Sequence, residues 1–312
     1  MSNPALNRGP VNLADYHVHI EKGPYRRPWL DRFVRRATAC GLAELGVSEH
    51  MYRFKQAAGL LNNPWENHRR TQDLDRYFAL LEEARAEGPD GQAGGPGSHG
   101  GLPLPLRIGV EFDYVPETED AIGRLLDRYP FDYRIGSVHW LGDVGFDLGP
   151  DIPFWKSGDI RRKYADYFAM LGRLARSGLA DIVGHPDVIK VFGHRPEDAR
   201  RPGEQDAAAF LRPLYERAVE EFAAAGLAAE VSTAGLRKPV GEMYPAPAFL
   251  AALRAHDVPI VVSSDAHRPG DVGRDFEKAV EFARAAGYRE VVRFAGRRGT
   301  AYPFYRSKAG SN

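Results

Sequence analysis

The stretch Asp15-Tyr16-His17-Val18-His19-Ile20 decides how this chain is read. It has the pattern of a short β-strand and carries two histidines one residue apart. Side chains at i and i+2 of a strand share a face, so His17 and His19 present their imidazoles side by side. Such a pair either begins a metal site or is an ordinary pair at a strand end. Recurrence separates the two readings, because five further apolar runs also end in acidic or histidine side chains. They close on His50, on Glu111, on His139, on His185-Pro186-Asp187 and on Asp265-Ala266-His267.

Helical patterns separate these runs. After Pro28, Leu30, Phe33, Val34 and Ala37 repeat at helical spacing. Further helices are expected over 65–86, from 116 to before 130, and over 158–177, 204–225, 246–255 and 272–286. Strands are expected over 11–20, 43–47, 106–112, 133–138, 180–184, 228–231 and 259–264. Near-continuous apolar strands alternating with helices mean a parallel sheet covered by helices. No Gly-x-Gly-x-x-Gly follows the first strand and no Gly-x-x-x-x-Gly-Lys-Ser/Thr occurs, so nucleotide-cradling folds lack their signature. A closed α/β barrel fits, and in such barrels catalytic residues sit at the C-terminal ends of the strands. Every polar candidate here does. Segment 51–63 reads as a lid or substrate loop, and 140–155 as an active-site rim.

The bulk numbers bound the rest. A chain of 312 residues buries about 75% of its unfolded surface. We expect one domain over 1–312, with a flexible Gly/Pro-rich loop at 88–105 and loose termini. Hydrophobic content of 43% and charged content of 27% are those of an ordinary globular protein. Lys+Arg and Asp+Glu both number 42, which argues against a nucleic-acid or anionic-membrane binder. One cysteine, Cys40, excludes an internal disulfide framework and suits a reducing cytoplasm. Neither a signal pattern at Met1-Ser2-Asn3-Pro4 nor an apolar run of about 20 residues is present, so a cytoplasmic location is expected.

Six of the ten histidines fall at strand ends: His17, His19, His50, His139, His185 and His267. The other four lie elsewhere: His68 on a helix, His99 and His194 in loops, and His256 near a helix end. One buried histidine is usually a satisfied core residue. Six at matching strand ends, with Glu111 and Asp265 among them, point to metal. Imidazole and carboxylate without thiolate suit Zn, Mn or Fe rather than a cysteine-type structural zinc. Eight ligands exceed one tetrahedral site, so two or three divalent ions are expected, with a bridging carboxylate. Multinuclear sites of this kind activate water and clamp the attacking and leaving oxygens of a phosphoryl centre. The residues therefore read as a metal-dependent hydrolase.

The motifs Asp15-Tyr16-His17-Val18-His19, Gly46-Val47-Ser48-Glu49-His50, Gly109-Val110-Glu111, Gly136-Ser137-Val138-His139, Gly184-His185-Pro186-Asp187 and Ser264-Asp265-Ala266-His267 resemble the polymerase and histidinol phosphatase (PHP) superfamily. They stand in that family's order and span nearly the whole chain. The resemblance implies a distorted (β/α)7 barrel with a metal cluster at the C-terminal strand ends. It implies one ion on His17, His19, Glu111 and Asp265, a second on Glu111, His139 and His185, and a third served by His50 and His267. Many members carry a further histidine eight residues after the first of the pair, where this chain has Tyr25; Glu21 is the candidate substitute ligand.

Within the superfamily, Glu230-Val231-Ser232-Thr233-Ala234-Gly235-Leu236-Arg237-Lys238-Pro239, followed by Tyr244-Pro245, resembles a segment of the histidinol-phosphate phosphatases. It departs from them at Ser232, where Asn is common, and at Ala234, where Ser is common. The implied reaction is hydrolysis of L-histidinol phosphate to L-histidinol and phosphate, in histidine biosynthesis. Arg237 is expected on the phosphate, since a guanidinium forks onto two oxygens and keeps its charge. Lys238, Arg53 and His194 are further substrate-binding candidates, and Glu230 is a candidate partner for a substrate amine. Asp265 or His267, acting through water, is the candidate acid for the leaving alkoxide. The alternatives are a PHP phosphoesterase acting on nucleotide or sugar phosphates, and a non-catalytic PHP binding module. An amidohydrolase barrel also uses His-x-His, but the middle strands here end in Glu111, His139 and His185 rather than in a bridging lysine.

Overall fold

The computed structural model describes residues 12–60, 64–89, 102–196 and 209–305. In chain order it contains β1 (Ala14–Asp15), α1 (Arg27–Ala39), β2 (Glu44–Val47), α2 (Pro64–Asn67), α3 (Leu74–Ala86), β3 (Leu106–Asp113), α4 (Glu119–Leu126) and β4 (Tyr133–Ser137). There follow β5 (Trp140–Leu141), β6 (Val144–Gly145), α5 (Pro153–Lys156), α6 (Ile160–Ser177), β7 (Ile182–Val183), α7 (Arg212–Ala225) and β8 (Ala228–Ser232). Then come α8 (Pro247–Ala255), β9 (Ile260–Ser263), α9 (Phe276–Ala285), β10 (Glu290–Ala295) and β11 (Arg298–Pro303). Among the described residues, seven strands form one parallel sheet in the order β1-β2-β3-β4-β7-β8-β9. This is the barrel that the strand-end motifs imply.

Closure comes from residues just beyond β1 and β9. Val18 bridges Ala266, the His19 N–H donates to the Ala266 carbonyl at 2.8 Å, and the Ala266 N–H donates to the His17 carbonyl at 2.9 Å. Asp15 fastens the same seam by accepting the backbone N–H groups of Ser264 at 3.0 Å and Gly273 at 2.9 Å. The barrel therefore shuts at the rim where its candidate ligands sit.

Two apolar layers hold the fold. The outer layer packs helix faces such as Leu30, Phe33, Val34 and Ala37 of α1 against the sheet. The barrel interior holds Ala14, Tyr16, Tyr133, Ile135, Ile182, Ala228 and Val261, with Phe294 against them. Tyr133 fits there because two neighbouring strand positions have no side chain. A Cβ on Gly46 would lie 2.2 Å from the Tyr133 oxygen, and one on Gly109 would lie 2.2 Å from its ring. The Tyr133 hydroxyl donates to the Tyr16 carbonyl at 2.7 Å, immediately below His17.

Residues 140–155, expected as a rim loop, contain the β5–β6 hairpin and most of α5, and three further stretches differ from the sequence expectation. The helix expected over 65–86 is split, because Asp73 caps α3 by accepting from Asp75 N and Arg76 N. Before that cap, Gln72 pairs with the chain after His50, donating to the Arg53 carbonyl and accepting from Lys55 N–H, both at 2.9 Å. The first strand, expected over 11–20, is β1 alone, and the histidines lie past its end in the closing seam. The β10–β11 hairpin was not anticipated. It turns at Gly296-Arg297, both at positive φ as a two-residue hairpin turn needs, and Phe294 N–H donates to the Tyr16 hydroxyl at 2.9 Å.

Residues 90–101 of the expected Gly/Pro-rich loop, with His99, lie outside the described residues, as do 1–11, 306–312 and the start of the helix expected at 204. Among the described residues no helix is long and apolar enough to cross a membrane. Filling the space kept for Tyr133 tests the interior packing. Gly109→Ala is expected to destabilise the fold by about 1–3 kcal/mol, read as a lowered midpoint of denaturant unfolding.

Candidate metal centre

Each ligand candidate is delivered by the C-terminal end of a strand. His17 and His19 follow β1, His50 follows β2, and Glu111 lies within β3. His139 follows β4, His185 follows β7, and Asp265 and His267 follow β9. Two of these residues have positive φ, His185 at 23° and Asp265 at 49°. Such backbone costs about 1–3 kcal/mol per residue and tends to persist where function requires it.

Glu111 is the hub, buried to 2% exposure. Its Oε2 lies 2.6 Å from His50 Nδ1, 3.3 Å from His17 Nε2 and 3.6 Å from His19 Nε2. Its Oε1 lies 3.2 Å from His185 Nε2 and 3.9 Å from His139 Nε2, and accepts the Ser137 hydroxyl at 2.7 Å. Asp265 Oδ1 stands 3.4 Å from His19 Nε2 and 3.2 Å from His267 Nε2. Among the described residues, three groups present ligand atoms close enough for one ion: His17–His19–Asp265, His17–Glu111–His185 and His19–His50–His267. His139 adjoins the second group, its Nε2 3.2 Å from His185 Nε2.

Four of the histidines have a carboxylate at the ring nitrogen turned away from the cluster. Glu230 accepts from His17 Nδ1 at 2.8 and 3.0 Å, and Asp113 accepts from His139 Nδ1 at 2.7 Å. Glu21 accepts from His267 Nδ1 at 3.0 Å, and Glu49 lies 3.6 Å from His19 Nδ1. A carboxylate there fixes the tautomer with the proton on Nδ1 and leaves the Nε2 lone pair facing inward. His17 Nε2, His19 Nε2 and Glu111 Oε2 are nonetheless buried without a hydrogen bond. Inward lone pairs with no donor to meet them are what a cation satisfies. The residues fit divalent metal.

The electrostatics agree. Burial opposes charge on Glu111, yet His17 and His50 hold its carboxyl well below the usual range. Desolvation also opposes charge on the partly buried Asp265, and His17, His19 and His267 hold it low in the same way. Burial pushes His139 toward neutrality, and Asp113 overrides it and lifts the imidazole to about 10. His19 is lifted to about 9 by Asp265 and Glu49 against its own burial. The carboxylates thus create a strong demand for positive charge.

The remaining candidates are placed as follows. Glu21, expected as a ligand, lies outside the three groups; its second oxygen pairs with Arg53 at 2.9 Å, which also occupies that candidate phosphate binder. Glu230, expected on a substrate amine, is fully buried, and besides His17 it accepts the His185 backbone N–H at 2.8 Å. His194 stacks on Trp155 at 4.6 Å and is not among the residues lining the cavity over the cluster. Arg237 donates to the Thr233 and Ser264 carbonyls beside Asp265 and lines a basic groove with Lys22, Arg268 and Arg274. Lys238 lines both that groove and the cavity. Tyr25 packs against Tyr77 with its ring 6.2 Å away, and burial followed by Glu49 raises its hydroxyl far above its ordinary value.

Sequence reasoning assigned no role to Asp113, Glu49 or Ser137. Asp113 follows Glu111 by two residues and Ser137 precedes His139 by two, the same i, i+2 spacing that exposed the first pair. Glu49 alternates with His50 to the other side, and only the fold brings it behind His19.

Over residues 15–234 the sequence matches the PHP domain family. It is 34% identical over 285 residues to the probable histidinol-phosphatase of Deinococcus radiodurans, covering 90% of this chain and 96% of that one. It is 31% identical over 196 residues to the histidinol-phosphatase of Bacillus subtilis, covering 57% of this chain and 69% of that one. In fold it is similar to the histidinol phosphate phosphatase of Lactococcus lactis, solved in complex with zinc, L-histidinol and phosphate. That likeness has a TM-score of 0.68 at 21% identity and covers 93% of this chain and 99% of the other. The strand-end ligand set, the barrel that assembles it and these matches agree: the chain belongs to the PHP domain family.

Proposed function

We propose that this chain is a histidinol-phosphatase, a metal-dependent phosphomonoesterase that hydrolyses L-histidinol phosphate to L-histidinol and phosphate in histidine biosynthesis. The observation that carries this reading is the cluster of six imidazoles and two carboxylates centred on Glu111, in a chain similar to histidinol-phosphatases over most of its length. The reading includes a cytoplasmic setting, which a chain with Cys40 as its one cysteine suits.

In this reading His17, His19, Glu111 and Asp265 hold one ion, and Glu111, His139 and His185 hold a second. His50 and His267 would serve a third. Zinc, manganese and iron all suit this donor set. Bound divalent metal supplies Lewis acidity that makes water a nucleophile near neutral pH and neutralises charge on phosphoryl oxygens.

The chain's own groups do the rest. Glu230, Asp113 and Glu21 keep three imidazoles in the ligating tautomer, and Glu49 lies behind a fourth. Arg237, pinned by two backbone carbonyls beside Asp265, offers its remaining N–H groups to phosphate oxygens, and Lys238 adds charge between cavity and groove. Asp265 and His267 line both spaces, and the ionised Asp265 is placed to take the proton of the attacking water and pass it through water to the leaving alkoxide. Tyr52, Trp65 and Trp140 wall the cavity and limit bulk water.

Phosphate release from L-histidinol phosphate, measured against nucleotide and sugar monophosphates and a phosphodiester, tests the assignment. A clear preference for L-histidinol phosphate is expected, and equal rates across the panel would overturn it. Prolonged chelation is expected to abolish turnover, with recovery on adding back Zn, Mn or Fe; a chelated protein of undiminished activity would refute the metal mechanism. Asp113→Ala leaves the His139 ring without its orienting acceptor. It is expected to lower metal affinity or kcat by about 10–100-fold, read by metal analysis alongside turnover.

A further inference from the structure

Four carboxylates border the cavity over the metal cluster: Glu111, Asp113, Asp147 and Asp265. Three are engaged, Glu111 and Asp265 with the imidazoles and Asp113 with His139 Nδ1 at 2.7 Å. Asp147 has no hydrogen bond or ion pair among the described residues, although its charge acts on His139 across the cavity. An anion beside such a cavity without a hydrogen-bonded protein partner is set to receive a cation from the ligand.

The position of Asp147 is built rather than incidental. β5 and β6 pair just before it, joining Trp140 to Gly145 and Leu141 to Val144. The preceding residue, Phe146, is fully buried, donates its N–H to the His139 carbonyl at 3.1 Å and accepts the Trp155 indole N–H at 2.7 Å. The hairpin is thus tied to a metal-ligand residue on one side and to α5 on the other. The following residue, Leu148, is 41% exposed and lines the same cavity. Trp65 and Trp140 meet edge to face at 6.2 Å in the cavity wall. A carboxylate beside aromatic faces matches a leaving group that carries a primary ammonium next to a flat ring.

We propose that Asp147 binds the substrate's ammonium group, and that this contact sets a preference for amino-alcohol phosphates over phosphate esters with neutral leaving groups. The inference rests on the substrate reading above, and it gives the amine a partner now that Glu230 is seen to serve His17 and His185.

The test compares L-histidinol phosphate with its des-amino analogue, the phosphate ester of 3-(imidazol-4-yl)propanol, on the metal-loaded wild-type enzyme, Asp147→Asn and Asp147→Glu. In the wild type, kcat/KM is expected to favour the amino substrate. In Asp147→Asn that preference falls by about tenfold or more, mainly through KM for the amino substrate. Asp147→Glu, which keeps the charge, retains more of the preference than the asparagine variant. An unchanged ratio of the two kcat/KM values in Asp147→Asn overturns the inference, whether both activities persist or both fall together. Failure of the wild type to hydrolyse L-histidinol phosphate overturns the substrate reading itself, and the inference with it.

Discussion

One carboxylate buried among five imidazoles is the constraint on which this structure turns. Taking an anion such as Glu111 out of water costs on the order of several kcal/mol, and among the described residues no lysine or arginine pairs with it. It offers ring nitrogens instead, and these must carry either protons or metal. The carboxylates hydrogen-bonded behind three of the rings settle which nitrogen faces inward, so the cluster is shaped before any ion arrives. Glu111 itself is held by the Ser137 hydroxyl and by the ladder that links β3 to the end of β2, where its N–H donates to the Glu49 carbonyl at 3.1 Å.

The parts of this arrangement that showed in the sequence are those that repeat with a local period. Two-residue alternation marks His17 with His19, and the ends of apolar runs mark His50, Glu111, His139, His185 and Asp265 with His267. The same alternation would have found Asp113. What stayed hidden depends on distance along the chain. Glu230 reaches His17 across 213 positions, and nothing near either residue announces the contact. Glu21 shows the reverse case, for it lies close to the histidine pair in sequence and hydrogen-bonds His267 from the other end of the chain.

Secondary structure followed the same division. Apolar periodicity placed the strands and most of the helices, because each buries one face against a neighbour. It failed at Asp73, where a short side chain offers the backbone a better start to a helix than continuation does. It failed again at the terminal hairpin, where β10 has no clean alternation and Phe294 finds its place only against the Tyr16 hydroxyl inside the barrel. Tyr133 is legible only in retrospect, through the two glycines that make room for it.

The seam between the first and last barrel strands has a consequence for how the protein comes into being. Asp15 and Ser264 hydrogen-bond across 249 positions, and the backbone of His17 and His19 pairs there with Ala266. A nascent chain emerging from the ribosome therefore carries His17 and His19 exposed through most of its synthesis, with Asp265 not yet made. Contacts of such long range form late, because a large loop must close before they repay its entropy. A metal ion that finds His17, His19 and Asp265 together thus reports that the last strand has docked. The His17–His19–Asp265 group exists only once β9 has docked against β1.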